Sequence, residues 1–262
     1  MDPYKPISVS IGSDTPPWDR IAFFVGHLDC RVYMTETAYL DVGAGSLPVI
    51  LRVQNLPTGF SGSLGTIGRF CEVSDQALIM AAGEHDHDQP VNISMTALPL
   101  LRGRLSATAL KAFTPINVGN GVVISTRAIV LPGIAVGDAS VLGAGSILTR
   151  DAEAYGIYAG APARLIRKRQ SAAHWWNFDV SYIVANADRL QDLARDPDAE
   201  HPVQAARPRL IIRQSGDTLS ISSFVANDEE HALEEAPQVR DYIRQAFSNG
   251  QAEWRADYWA DQ

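Results

Sequence analysis

Two cysteines in 262 residues, Cys30 and Cys71, are too few for a disulfide framework, and neither belongs to a CxxC pair. Buried free thiols are the simple reading. A nucleophile or metal role is the weaker one, because no cysteine–histidine cluster stands near either. Basic charge is also scarce: 22 Lys and Arg face 30 Asp and Glu, giving a net charge of −8. A general nucleic-acid binder needs a basic face for the phosphate backbone, so that class is excluded, whereas a small basic pocket for a phosphorylated cofactor is not. No apolar run reaches the roughly 18 residues that a membrane span requires. The opening MDPYKPISVS lacks a basic segment followed by an apolar stretch, so a cytoplasmic location is the default expectation. What is there, 46% hydrophobic and 20% charged, suits a globular protein with one large domain or a main domain and a small appendage.

A period of six runs through residues 118–148. Val118, Ile124, Val130, Val136, Leu142 and Leu148 recur without a slip, with Gly119, Gly137 and Gly143 directly after three of them. Small residues stand four places on, at Ala128, Ser140 and Ser146. Six fits neither a 3.6-residue helix nor a two-residue alternation. It fits a parallel β-helix in which each unit is one side of a triangular coil, the aliphatic residue points inward and small residues turn the corner. Residues 18 apart then stack at the inter-strand spacing of about 4.8 Å. Val118 is expected under Val136, and Ile124 under Leu142.

A shorter run, Ile67, Val73 and Ile79, keeps the same step, and the next step lands on His85. From His85 to Val118 the phase breaks, so residues of about 86–113 must leave the solenoid as a loop. Its leucines, Leu98, Leu100, Leu101, Leu105 and Leu110, are too many for a disordered segment and are expected to pack on a neighbouring surface. His85 thereby stands where a regular coil meets a large excursion, the kind of place where solenoids carry function. Before residue 60 the period is poor, and Arg31–Met34 and Pro48–Val53 read as strands of irregular first coils.

After Arg150 the pattern changes. Ile183, Ala187, Leu190, Leu193 and Ala194 follow helical spacing, so residues of about 179–195 are expected to form an amphipathic helix that caps the open end of the stack. A polar, proline-containing linker follows at 195–208. Leu210–Arg213 and Thr218–Val225 flank Gln-Ser-Gly-Asp as a hairpin, and Pro237 opens a further helix. Residues 1–200 thus read as the β-helix domain and 208–262 as a small α/β appendage, whose Trp254, Tyr258 and Trp259 are read as packing. The acidic run Asp228-Glu229-Glu230 reads as a solvated turn.

The motifs LPGIAVGD (131–138), LGAGSILTRD (142–151) and AGAPARLIRKR (159–169) closely resemble the C-terminal coils of left-handed β-helix, hexapeptide-repeat acyltransferases. The likeness is greatest to the xenobiotic branch, which includes chloramphenicol acetyltransferases. IGRFCEVS (67–74) resembles that branch's first recognisable coil, and His85 of Gly83-Glu84-His85 stands at the interval of its catalytic histidine. The resemblance covers roughly residues 64–200. It implies a mainly β fold with left-handed coils, an exception to the right-handed crossover rule. It also implies a homotrimer with each active site between two adjacent solenoids, and acetyl-CoA as acyl donor. One departure is Val123-Ile124-Ser125 where the family has Trp-Ile-Gly, so an aromatic wall near the site is missing. Trp175 and Trp176 match tryptophans at the start of the family's capping helix and are read as packing residues.

The chemistry follows from these residues. Acyl transfer from a thioester needs a base, and a histidine titrates near working pH. His85 is assigned that role, with His87 as rival and Glu84 or Asp86 as the group that orients the ring. A zinc site built on His85 and His87 finds no third histidine in the coils, because His27, His174, His201 and His231 lie outside them, so no metal is expected. Small residues let a pantetheine arm approach a solenoid edge, which points to Ser140, Gly143, Gly160 and Ala163. Ser140, Tyr158, Ala163 and Arg164 also match the family's CoA contacts. Arg164, Arg167, Lys168 and Arg169 form a basic cluster suited to phosphates, or simply a solvated stretch after the last coil. The expected acceptor is a sugar, polysaccharide or aminosugar nucleotide. An antibiotic acceptor and a non-catalytic β-helix scaffold are the alternatives.

Overall fold

A computed structural model of the chain describes residues 8–9, 21–22, 29–33, 36–46, 51–52, 60–74, 76–81, 85–86, 88, 90, 113–170, 174–178, 180–195, 209–215, 218–225 and 229–232. Strands β1 (Ser8–Val9) and β2 (Ile21–Ala22) pair with each other. The solenoid is made of β3 (Asp29–Tyr33), β4 (Ala38–Val42), β5 (Leu51–Arg52), β6 (Gly62–Ile67), β7 (Glu72–Val73), β8 (Leu78–Met80), β9 (Ile116–Val118), β10 (Val123–Ile124), β11 (Ile129–Val130), β12 (Ala135–Val136), β13 (Val141–Leu142), β14 (Ile147–Leu148), β15 (Gly156–Gly160) and β16 (Ala163–Lys168).

These strands stack into three faces. The first runs β12-β9-β6-β4, the second β15-β13-β10-β7 and the third β14-β11-β8-β5. The register is the one the period of six demands: Val136 pairs with Val118, Leu142 with Ile124 and Leu148 with Val130, all in parallel. In each of the two-residue strands β10 to β14 the hexad aliphatic is buried and its neighbour half-buried. Burying each such aliphatic contributes about 1.5–3 kcal/mol before entropy is counted. The corners are turned by buried small residues, among them Ala128, Ser140 and Ser146. Corner amides donate to the adjoining coil, as Val123 does to Ser140 and Ile129 to Ser146, so short strands leave few backbone groups unpaired.

The upstream hexads lie directly below the later ones. Ile67 pairs with Val118, Val73 with Ile124 and Ile79 with Val130. The stack therefore resumes in register after the excursion, which leaves at the corner between the third and first faces. At that return Gly65, with φ of 129°, lies so close to the Ile116 backbone that any side chain would overlap it. Most of the predicted loop 86–113, its five leucines included, lies outside the described residues.

The chain before residue 60 also coils, as its strand-like segments suggested: β4 pairs in parallel with β6 and β5 with β8. Its spacing hides this coil from a search for strict sixes: Val42 stands 25 residues before its partner Ile67 and Leu51 28 before Ile79, where the regular coils keep 18.

Two expectations about the C-terminal third need correction. The single helix over 179–195 is two short helices, α1 (Val180–Ala185) and α2 (Leu190–Leu193). Asn186 breaks it: both its backbone N–H and its side-chain amide donate to the Tyr182 carbonyl, the local competition that makes Asn a poor interior helix residue. The described contacts of the segment before it are lateral. Trp175 packs on Phe70 and Trp176 on Tyr155, at the corner between the first and second faces.

The second concerns residues from 208 onward. Strands β17 (Arg209–Ser215) and β18 (Thr218–Val225) form the expected hairpin, with β19 (Glu229–Ala232) beside it. But β17 also pairs in parallel with β3, Arg209 opposite Asp29 through Arg213 opposite Tyr33. The first face thereby becomes an eight-stranded sheet ending β4-β3-β17-β18-β19. Its inner side buries Cys30, Val32 and Ile212 at 0% exposure, closing the start of the solenoid core. Glu229 and Glu230 are strand residues rather than a turn. The predicted helix from Pro237, with Trp254, Tyr258 and Trp259, lies outside the described residues. Among the described residues no helix is long and apolar enough to cross a membrane.

Candidate active site

His85 follows the last strand of a coil, β8, at the corner from which the excursion departs. It is half-buried and held by one backbone bridge. Asp86 Oδ1 accepts the Asp88 N–H at 3.2 Å, so that carboxylate closes its own turn next to the imidazole. Glu84 and His87 lie outside the described residues. Where the excursion returns, Phe113 packs edge-on against Phe60 with ring centroids 4.7 Å apart. Thr114 lies over Gly133 of the next coil. The returning end of the excursion is thus anchored on the stack. Among the described residues no three His, Cys, Asp or Glu groups are placed to hold a metal.

The residues predicted to bind a carrier fall on two corners. Gly143, Gly160 and Ala163, with Arg164 next to them, share the corner between the second and third faces. There the Gly143 N–H donates to the Tyr158 carbonyl at 2.8 Å and the Gly160 N–H to Ser146 Oγ at 3.1 Å. The antiparallel hairpin β15–β16 then carries the chain back across the second face, and Lys168 arrives opposite Gly156 at the corner with the first face.

Ser140 and Tyr158, like Ala163, are buried in this chain. Ser140 is 1% exposed and its hydroxyl lies 2.7 Å from the Gly137 carbonyl and 2.9 Å from that of Glu153. Tyr158 is 7% exposed, and its hydroxyl oxygen accepts the Glu153 N–H at 2.8 Å. Tyr158 pairs with Leu142 and so inherits the inward direction of the hexad aliphatics.

Both residues converge on Glu153, which sequence reasoning missed. Its carboxylate meets Lys168 Nζ at 2.6 Å, with both side chains more than half exposed. The hydrogen bond to Lys168, reinforced by its charge, holds the Glu153 carboxyl below the usual carboxylate range and raises the lysine in turn. No sequence signal marks Glu153, because the pairing depends on which β15 residue the returning hairpin strand opposes.

Other cations of β16 and the residue after it contact carbonyl oxygens. Arg164 Nη1 reaches the Ala163 carbonyl at 3.1 Å and Arg169 Nη1 that of Ala139 at 2.9 Å. Arg164, Arg167, Lys168 and Arg169 are all exposed. An anion can therefore reach a line of positive charge along the outer edge of β16.

His85 and the hairpin turn flank the same side of the molecule, the third face. The outward residues of that face, Leu78, Met80, Ile129, Leu131 and Ile147, are apolar and half-buried.

No family model matches the chain. A probable macrolide acetyltransferase of Lysinibacillus sphaericus is 30% identical over 144 residues, which are 50% of this chain and 79% of that protein. The chain belongs to the hexapeptide-repeat, left-handed β-helix acetyltransferase family, in its xenobiotic branch. A chloramphenicol acetyltransferase of Morganella morganii is another family relative, 32% identical over 128 residues that make up 45% of this chain and 61% of that one. A galactoside O-acetyltransferase of Escherichia coli matches over a shorter stretch, 38% identical over 78 residues, 30% of this chain and 38% of that one. The chain spans about three fifths of the length of the chloramphenicol acetyltransferases it matches.

Proposed function

We propose that the chain transfers an acetyl group from acetyl-CoA to a hydroxyl or amine of a sugar, polysaccharide or aminosugar nucleotide, with His85 as general base. The observation that carries this reading is the place of His85, at the mouth of the excursion and one face away from the hairpin turn with its basic strand. The imidazole takes the acceptor proton as the acceptor oxygen or nitrogen attacks the thioester carbonyl. A backbone N–H stabilises the oxyanion. When the C–S bond breaks, the imidazolium returns the proton to the CoA thiolate, so the base is regenerated.

Gly143, Gly160 and Ala163 leave room for the pantetheine arm at their corner. Arg164 and Lys168 hold the phosphates, about 13 Å apart along the strand. Ser140 and Tyr158 serve this site indirectly, by fixing the peptide of Glu153. The apolar third face is the surface on which protomers of a homotrimer pack. Such packing sets the hairpin of one protomer beside the His85 of its partner, which a single chain keeps a full face apart.

The relatives named chloramphenicol and macrolide acetyltransferase favour a second reading, an antibiotic acceptor with the same chemistry. Calorimetry with acetyl-CoA, on the wild type and His85→Ala, tests the first step. Both proteins are expected to bind. Thiol release is then followed with sugars and with antibiotics, where His85→Ala is expected to lose about 10²–10⁴-fold in rate. Absence of binding at millimolar acetyl-CoA sinks the reading. Turnover of antibiotics alone moves the second to the front.

A further inference from the structure

Lys168 stands out among the cations of β16 because a carboxylate holds it. The peptide of Glu153 is fixed by three hydrogen bonds: its N–H donates to Tyr158 Oη at 2.8 Å, and its carbonyl accepts from Ser140 Oγ at 2.9 Å and from the Gly156 N–H at 3.1 Å. Two of those partners, Ser140 and Tyr158, are buried in the corner and the core. The Glu153 side chain therefore leaves the solenoid from a rigid point. The hairpin register brings Lys168 to the same point by pairing it with Gly156. The charged ends, meanwhile, are exposed, Lys168 at 58% and Glu153 at 65%. Position is set by a rigid frame while both charges keep their hydration. Such a pair exchanges partners at little cost.

We propose that Glu153 sets affinity at the carrier site: its carboxylate holds Lys168 and yields it to a phosphate of the incoming acyl carrier. The proposal rests on the reading that Lys168 receives a phosphate of acetyl-CoA. A phosphate reaching Lys168 shares or replaces an anion already 2.6 Å from its nitrogen, and Glu153 repels it in either case. Phosphorylated carriers therefore bind more weakly than the bare cluster would allow, which favours release of CoA after transfer. Glu153 is a positioning and affinity-determining residue and takes no part in the bond changes.

The test is the dissociation constant of two carriers on wild type and Glu153→Gln, measured by calorimetry at low salt and again at high salt. Acetyl-CoA carries the phosphates, and S-acetylpantetheine lacks them. Glu153→Gln keeps the three backbone hydrogen bonds and should melt with the wild type. It is expected to bind acetyl-CoA about two- to five-fold more tightly at low salt, the range of an exposed ion pair, with the gain shrinking at high salt. Acetylpantetheine should bind both proteins equally. A purely structural role for Glu153 would move both carriers together, and that result overturns the proposal. So does equal or weaker acetyl-CoA binding by the variant when the wild type binds well. Failure of the wild type itself to bind acetyl-CoA strikes instead at the acetyltransferase reading.

Discussion

Ile67 pairs with Val118 on the first face, 51 positions apart, in the register in which Val118 pairs with Val136 18 positions on. The excursion is thus an insertion of 33 residues into a stack that is complete without it. Deleting residues 82–114 joins Ala81 to Pro115 and restores a six-residue step from Ile79 to Val118. The shortened chain is expected to keep a cooperative unfolding transition and a β-rich circular dichroism spectrum. Losing the Phe113 contact with Phe60 should cost about 1–3 kcal/mol. Acetyl transfer should disappear with His85. A deletion variant that never folds would mean the excursion is part of the core.

How much of this was legible beforehand differs by element. The coils from Val118 to Leu148 were readable to the register, because an inward aliphatic every six residues leaves one way to stack. The coil holding β4 and β5 was not, because Val42 and Leu51 stand 25 and 28 positions before their partners Ile67 and Ile79 instead of 18, so no six-residue phase survives although the strands still stack. The pairing of β17 with β3 joins strands about 180 residues apart, and no local pattern encodes such a partner. At the site, the small and basic residues of the last coils were legible as positions in the chain. The direction of Ser140 and Tyr158 was not, because a motif names positions, and only the register says which positions face inward.

Ser140 provides a direct check of that direction. Its hydroxyl shares its one proton between two carbonyls inside the corner, that of Gly137 at 2.7 Å and that of Glu153 at 2.9 Å. Ser140→Ala should cost about 1–2 kcal/mol of stability, seen in urea unfolding, by stranding buried acceptors. The affinity for acetyl-CoA should change less than about two-fold, within what an exposed pair disturbed through Glu153 can produce. A large loss of affinity at unchanged stability would return Ser140 to the carrier's surface.

Arg69 is expected to be among the most sensitive positions outside the site. Its side chain is 3% exposed, its Nη1 donates to the Trp176 carbonyl at 2.6 Å and its Nε lies 3.7 Å from Asp29. It ties the first regular coil to the segment after β16. Arg69→Met keeps the volume but leaves Asp29 and the Trp176 carbonyl without their cation. A loss of about 2–4 kcal/mol follows, with a red shift of tryptophan emission as the Trp176 ring loosens. A variant as stable as the wild type would show that the aromatic packing alone holds this segment.

Alkaline pH should weaken the fold through Cys71. Its thiol is 1% exposed and donates to the Gly119 carbonyl at 3.0 Å. Burial disfavours the thiolate and pushes its pKa up to about 11, from an ordinary value near 9. An acid with a raised folded pKa contributes stability that is complete below the unfolded value. It is lost as pH rises, because the unfolded chain releases its proton first. Between about pH 9 and 11 the loss should reach about 2–3 kcal/mol. Urea unfolding under reducing conditions at pH 8, 9, 10 and 11 measures it. Cys71→Ala removes this component, so its stability should decline less steeply across the same interval, whatever tyrosines and lysines contribute to both proteins. Parallel curves for the two proteins would mean that the thiol reaches solvent before the fold opens.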